Sequence, residues 1–255
     1  MSKAKAAKPD SRRAQLRAAQ IAEAKRAKNK RIAIIAVSAI VALIVVVTLV
    51  LVVQRYNAAK TETYPPNATA QRNGIVANPG KGQQGAPVVE LYADYQCPAC
   101  KSFEDAFGTQ LNQLAQSGDI QLQYHLMTFL DTNLRNDASY RAANAAACAD
   151  LTGRYAQYHD TIYKNQPAQE GTGYSDAQLT GAFAEQAGIT GPALDTFKQC
   201  YSEKKYSAFV KSVDNAAGEA GVTATPTIKV NGKVLDTKKL TNDPNSLRTE
   251  IMKLK

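Results

Sequence analysis

Two cysteines stand three positions apart in "DYQCPACKSF", residues 94–103, with a proline directly after the first. Such a pair can be a redox dithiol, half of a zinc site or a structural disulfide. A redox dithiol needs one accessible thiol with a lowered pKa and a second within bonding reach. Positions i and i+3 at the start of a helix face the same way and meet the S–S geometry. Cys97 then sits in the first turn, where unpaired N–H groups and the positive end of the helix dipole stabilise a thiolate. Pro98 fits there because that position has no use for an N–H. Cys100 falls on the apolar stripe, which makes Cys97 the attacking sulfur and Cys100 the resolving one. A zinc site needs a second ligand pair. Cys148 and Cys200 are single and His125 and His159 stand alone, so no metal site is expected. A purely structural Cys97–Cys100 bridge closes too small a loop to stabilise much. Cys148 and Cys200 lie in helical patterns among small and apolar residues. They read as a structural disulfide closing a loop of about 50 residues, worth on the order of 3–4 kcal/mol, with two buried free thiols as the alternative.

The elements that must position these residues are set by periodicity. "APVVELYADY" is β-rich and alternating, giving a strand over 87–94. After it, Cys100, Phe103, Phe107, Leu111 and Leu114 are spaced as one face of a helix, which "SGD" at 117–119 ends. "IQLQYHLMTF", 120–129, alternates again, so strand, helix and strand imply a parallel pair with a right-handed crossover. Residues 135–220 read as helical throughout. "VTATPTIKVNGKVLD" gives two short strands around an Asn231-Gly232 turn of the primed type. Pro244 lies near the start of a closing helix in "NDPNSLRTEIMKL".

Charge and hydropathy set the compartment. The chain of 255 residues has a formal net charge of +9, but the excess sits entirely in residues 1–31. The remainder is neutral, which excludes a basic nucleic-acid-binding face. The basic tail meets Ile32–Val53, an uncharged apolar run of 22 residues, long enough for the roughly 30 Å of a bilayer core. Both parts exceed the dimensions of a cleaved signal peptide. The positive-inside rule keeps the tail cytoplasmic and exports the residues beyond the span, where disulfides persist. The expected organisation is a basic cytoplasmic tail (1–31), a transmembrane helix (32–53), a flexible extracytoplasmic linker (54–86) and a folded domain (87–255) with a helical insertion at about 131–220. The "NAT" at 67–69 matches a glycosylation acceptor, a frequent chance match to which no role is assigned.

The folded part resembles a thioredoxin-fold disulfide oxidoreductase of the DsbA-like type, in particular the membrane-anchored bacterial forms. The resemblance rests on "DYQCPACKSFE" (94–104), "AACA" around Cys148 and "GVTATPTIKVNGK" (221–233), and covers about residues 86–255. It implies an α/β, thioredoxin-like fold with a large helical insertion, preceded here by the single N-terminal transmembrane helix. It makes Cys97 and Cys100 the redox pair. It also matches Thr225 and Pro226 to the family's cis-proline loop, which faces the disulfide and pairs its backbone with the substrate chain. By residue type alone, Pro226 reads as a strand-starting proline. Two departures bear on redox tuning. The dipeptide between the cysteines is Pro98-Ala99, without the histidine many such oxidases carry. The family's buried glutamate position is Leu91, which leaves Glu90 and Asp94 as candidates for proton relay, against a reading of both as solvated carboxylates. The resemblance implies formation of disulfides in exported cysteine-containing proteins, with no cofactor, at the cell membrane, and with a membrane redox partner, a quinone-linked oxidase or thiol donor. The alternatives are a reductase or isomerase kept reduced from the membrane, and a non-catalytic thioredoxin-fold binding module.

Overall fold

The computed structural model describes residues 9–60, 63–241, 243 and 245–255; the start of the basic tail and Pro244 lie outside them. Contacts divide the chain into two units, 1–61 and 62–255. In the first unit, helix α1 runs from Pro9 to Lys60, so the basic segment and the apolar segment are one helix. Its Lys28–Val53 stretch is long and apolar enough to cross a membrane.

The second unit is built on a five-stranded sheet in the order β1-β3-β2-β4-β5. Its strands are β1 (Ile75–Val76), β2 (Val88–Ala93), β3 (Gln121–Leu126), β4 (Thr227–Val230) and β5 (Lys233–Val234). β2 and β3 pair in parallel, from Val88↔Gln121 to Ala93↔Leu126, and the other neighbours are antiparallel. Along β2 and β3, burial alternates at the first residues and becomes continuous at the last three. The alternation marks a sheet with one wet face, and its loss marks where the strand ends run beneath helices. The loop leaving β2 carries Cys97. Asn231 and Gly232 join β4 to β5 with φ of 50° and 79°, the left-handed pair a two-residue primed turn requires.

Between β2 and β3 the chain forms α2 (Pro98–Phe103), a π-helical stretch (Glu104–Gly108) and α3 (Thr109–Ser117). The sequence pattern predicts one regular helix here. The π-helical widening lies where Glu104 folds over Gly108, whose missing side chain leaves room for the glutamate oxygen. Gly118, at φ 79°, closes α3 in the left-handed region.

The insertion comprises α4 (Leu130–Leu134), α5 (Ala138–Asp150), α6 (Tyr155–Lys164), a π-helical turn (Gln178–Ala182), α7 (Phe183–Gln186), α8 (Pro192–Ser202) and α9 (Ser207–Glu219). It is not helical throughout: residues 165–175 form an irregular connection through Gly171 and Gly173, both at positive φ. Nearly all of α5 is buried. Its alanines let neighbouring helices approach closely, and Cys148 in α5 is bonded to Cys200 in α8 at an S–S distance of 2.01 Å. α10 (Ser246–Lys253) closes the unit.

The expected flexible linker over 54–86 is corrected. Residues 54–60 continue α1, and residues 63–86 are part of the folded unit. Thr63 Oγ1 donates to the Lys205 carbonyl at 2.7 Å, and Tyr64 packs edge-on against Phe209. The main-chain N–H and Nδ2 of Asn67 both donate at 2.8 Å to the carboxylate of buried Asp150. β1 covers the outer edge of β3, and buried Asn78 bonds the Ala115 and Ile120 carbonyls and the Leu122 N–H. The polar, turn-rich composition that looks like a tether is a set of caps for the fold's own buried polar groups.

Candidate active site

Cys97 is the N-cap of α2, in an extended conformation (φ −77°, ψ 117°), with Pro98 as the first helical residue. Its N–H donates to the Asp94 carbonyl at 3.0 Å, and its carbonyl accepts from Lys101 N at 3.2 Å. The turn Asp94–Cys97 therefore hands the chain from β2 into the helix. Both thiols are free. Cys97 is 8% exposed and Cys100 1%, so the first sulfur is recessed but reachable and the second is enclosed.

The environment separates their acidities. Cys97 is pulled down to about 6, first because the Cys100 thiol donates to it. Burial opposes this, while the Thr225 side chain and the N–H groups of Cys100 and Ala99 add to it. These N–H groups are the orphan donors of the first helical turn. Cys100 is pushed far up, chiefly by burial and then by its hydrogen bond and proximity to the Cys97 sulfur. Above about pH 6 the pair is one thiolate beside one thiol.

The segment before β4 lies across from Cys97. The Thr225–Pro226 peptide bond is cis, and the Thr225 carbonyl oxygen is 3.6 Å from Cys97 Sγ. Thr225 Oγ1 is buried without a hydrogen-bond partner.

Asp94 and Glu90 part company. Asp94 is fully enclosed, which removes the reading of it as a solvated strand-end carboxylate. Its Oδ1 accepts from Ser139 Oγ at 2.6 Å and from Gln96 N at 2.9 Å, and its Oδ2 from Leu130 N at 3.3 Å. Burial outweighs these bonds and raises its pKa to about 7. Its main chain is one of the influences that work against the rise of the Cys100 pKa. Glu90 accepts from the Tyr92 hydroxyl at 3.0 Å and lies 3.7 Å from His125 Nε2; neither partner is a sulfur.

Much of what holds the site comes from the helical insertion and carried no sequence signal. The Tyr163 hydroxyl donates to the Asp94 carbonyl, the Tyr174 hydroxyl to the Tyr95 carbonyl, and Gln166 Nε2 to the carbonyls of Tyr95 and Cys97. His159 is enclosed, with Nδ1 2.9 Å from the Tyr95 hydroxyl and Nε2 3.1 Å from Glu104. It ties the loop before Cys97 to the helix after it.

A thioredoxin family model matches residues 77–247. The chain belongs to the thioredoxin family. Disulfide bond formation protein D of Bacillus subtilis (strain 168) is 26% identical over 171 residues, which is 66% of this chain and 74% of that one. Among solved structures, reduced DsbA of Mycobacterium tuberculosis is 28% identical with a TM-score of 0.58, covering 71% of this chain and 92% of its own. The reduced disulfide bond oxidoreductase DsbG of the same organism is 28% identical with a TM-score of 0.59, covering 73% and 89%. This member of the family is a thiol–disulfide oxidoreductase of the DsbA type, with the thioredoxin-like fold and its helical insertion.

Proposed function

We propose that the chain forms disulfides in exported proteins and is held to the cell membrane by α1, with its N-terminus cytoplasmic and the unit after about residue 62 outside. The observation that carries this reading is the acid–base asymmetry of the pair: a Cys97 thiolate at about 6 beside an enclosed Cys100 thiol. Stabilising the thiolate stabilises the reduced enzyme, and a stabilised reduced enzyme is an oxidant toward its substrates.

In the oxidised enzyme, a substrate thiolate attacks Cys97 Sγ. The substrate–Cys97 bond forms, the Cys97–Cys100 bond breaks, and Cys100 leaves with the electron pair and takes a proton. A second substrate thiolate then attacks the substrate sulfur of the mixed disulfide, and Cys97 leaves as its stabilised thiolate. The substrate has lost two electrons and the enzyme has gained them. A membrane partner, quinone-linked in our reading, reoxidises the dithiol. Thr225 and Pro226 border the attacked sulfur and serve as the substrate-binding loop. Pro98 and Ala99 supply the helix start. Of the two carboxylates, we assign proton handling to Asp94 and none at the sulfurs to Glu90. The Cys148–Cys200 bridge is structural.

Ala99 favours a second reading, because it contributes no side-chain donor between the sulfurs and so leaves one source of thiolate stabilisation unused. In that reading the flow is reversed, toward reduction or isomerisation. Two measurements, trapping in a variant and the redox equilibrium of the parent, address both. Cys100→Ser in the full chain should accumulate mixed disulfides on non-reducing gels, and the redox equilibrium with glutathione gives the direction. Failure to trap any substrate would sink the dithiol mechanism, and a potential near the roughly −270 mV of thioredoxin would reverse the flow.

A further inference from the structure

A groove of about 640 Å³ lies between α5, α8 and the π-helical turn of the insertion. Asp137, Arg141 and Asn144 line it from the α5 side at i, i+4 and i+7, and Lys198 and Tyr201 line it from the α8 side. Seven residues of helix span about 10 Å, the length of about three residues of extended chain. The Cys148–Cys200 bond joins the two helices one turn beyond Asn144 and directly beside Tyr201, so the walls of the groove are held together. The groove shares no residue with the dithiol site.

One wall carries an amide with an unused acceptor. Asn144 is 2% exposed. Its Nδ2 donates to the Tyr201 carbonyl at a long 3.4 Å, and its Oδ1 has no hydrogen-bond partner. Turning the amide over would set its oxygen against that carbonyl, so Oδ1 remains the open end. A buried acceptor left unpaired is costly, and a ligand N–H removes the cost. The carboxylates of the groove are already engaged. Arg141 donates from Nε to Asp137 at 2.8 Å and from Nη1 to Asp176 at 2.9 Å, and the Tyr201 hydroxyl also donates to Asp176. The uncommitted charge is positive. Lys198 and Lys204 are exposed on the rim and form no ion pair among the described residues; Lys204 meets Asp176 only at a distance. The groove therefore offers one open acceptor inside and two cations at its edge. An extended acidic peptide matches both: its backbone N–H serves Asn144, and its carboxylates serve the lysines.

We propose that this groove is a second docking site, taking an extended acidic segment of a polypeptide about three residues long, with Asn144 holding its backbone and Lys198 and Lys204 its carboxylates. That the occupant is a polypeptide rests on the action on exported proteins proposed above. The lining itself asks for a donor and an anion on one short, extended chain. No bond is made or broken in the groove. Its role is to hold a client away from the sulfurs while Cys97 reacts with it, and two contacts on one chain raise the effective concentration of each.

The test uses the full chain in detergent and a capped, dye-labelled, cysteine-free peptide of alternating glycine and glutamate, with binding read by fluorescence anisotropy. The parent should bind the peptide saturably. Replacing both lysines (Lys198→Gln with Lys204→Gln) should weaken binding at least ~10-fold, and Asn144→Leu should weaken it by about fivefold, the worth of one hydrogen bond. Both variants should keep the parent's rate of disulfide reduction by dithiothreitol. The lysines are on the surface, so their variant decides the matter if the leucine variant does not fold. No binding at millimolar peptide overturns the proposal, as does binding that the lysine variant leaves unchanged. Competition by N-acetylglutamate as strong as by unlabelled peptide also overturns it, because the groove would then take a small anion. If the peptide fails to bind while Cys100→Ser still traps clients, the groove alone falls; if trapping fails as well, the proposed function falls with it.

Discussion

Cys97 Sγ faces Thr225, 3.6 Å from its carbonyl oxygen, and the Thr225 hydroxyl is enclosed with no hydrogen-bond partner. A donor kept free beside a sulfur is spent on the thiolate, and the Thr225 side chain does lower the pKa of Cys97. Thr225→Val keeps the shape and removes the donor. The Cys97 pKa should rise from about 6 by roughly one unit, while Thr225→Ser should hold it. The pH dependence of Cys97 alkylation by iodoacetamide measures this, and an unmoved midpoint in the valine variant would show the hydroxyl to be idle.

The largest influence lowering Cys97 is the thiol of Cys100 itself. Replacements at Cys100 should therefore sort by whether they can donate. Cys100→Ala should raise the Cys97 midpoint, and Cys100→Ser, which retains an O–H, should raise it less. Ultraviolet absorbance of the thiolate checks the order; equal midpoints in the two variants would place the cause in the helix start alone.

Asp94 makes stability fall as pH rises. Its folded pKa, about 7, lies above its ordinary value of 3.8, so the folded state keeps the proton after the unfolded chain has lost it. The contribution is intact below about pH 4 and is lost as pH climbs through 7. At 1.36 kcal/mol per unit the loss is at most about 4 kcal/mol. Asp94→Asn removes this dependence, so the variant should gain on the parent between pH 4 and pH 8. Urea unfolding across that range gives the difference, and a constant gap would mean that Asp94 does not titrate in the folded state.

The Cys148–Cys200 bond spans 52 positions and joins two enclosed sulfurs. Replacing both by serine should lower stability by about 4 kcal/mol through the longer-range freedom restored to the unfolded chain. Because neither residue touches Cys97, its alkylation midpoint should not move. A lost midpoint would mean that the bridge shapes the site.

The parts of the site that sequence revealed are those with local causes. Cys97, Pro98 and Cys100 follow from what a helix start offers to a thiolate, and Asn231-Gly232 from the φ values of one turn. The parts it hid depend on contacts distant in sequence. Ser139, Tyr163, Gln166 and Tyr174 are ordinary helix and loop residues until the insertion folds back over residues 94–97. Asp94 was ambiguous because a carboxylate at a strand end is usually wet. Only the packing of α4, α5 and α6 encloses it. The misread linker has the same origin: turn chemistry in 63–86 is local, but the Asp150 carboxylate and the β3 edge it serves are not.

That segment yields the last expectation. Asp150 is 3% exposed, and burial raises its pKa while the two donors of Asn67 oppose the rise. Asn67→Ala takes away the Nδ2 donor and leaves the main-chain one, so a buried carboxylate loses half of its bonding. The expected cost is about 2 kcal/mol, in the range for hydrogen bonds to charged groups. Beginning the chain at residue 86 removes both donors, the Asn78 cap and the strand that covers β3. An uncovered edge pairs with other chains. Residues 63–255 should therefore be monomeric and more stable by several kcal/mol than residues 86–255, which should self-associate. Denaturant unfolding and sedimentation of the two fragments decide it, and equal stability would return residues 63–85 to the status of a tether.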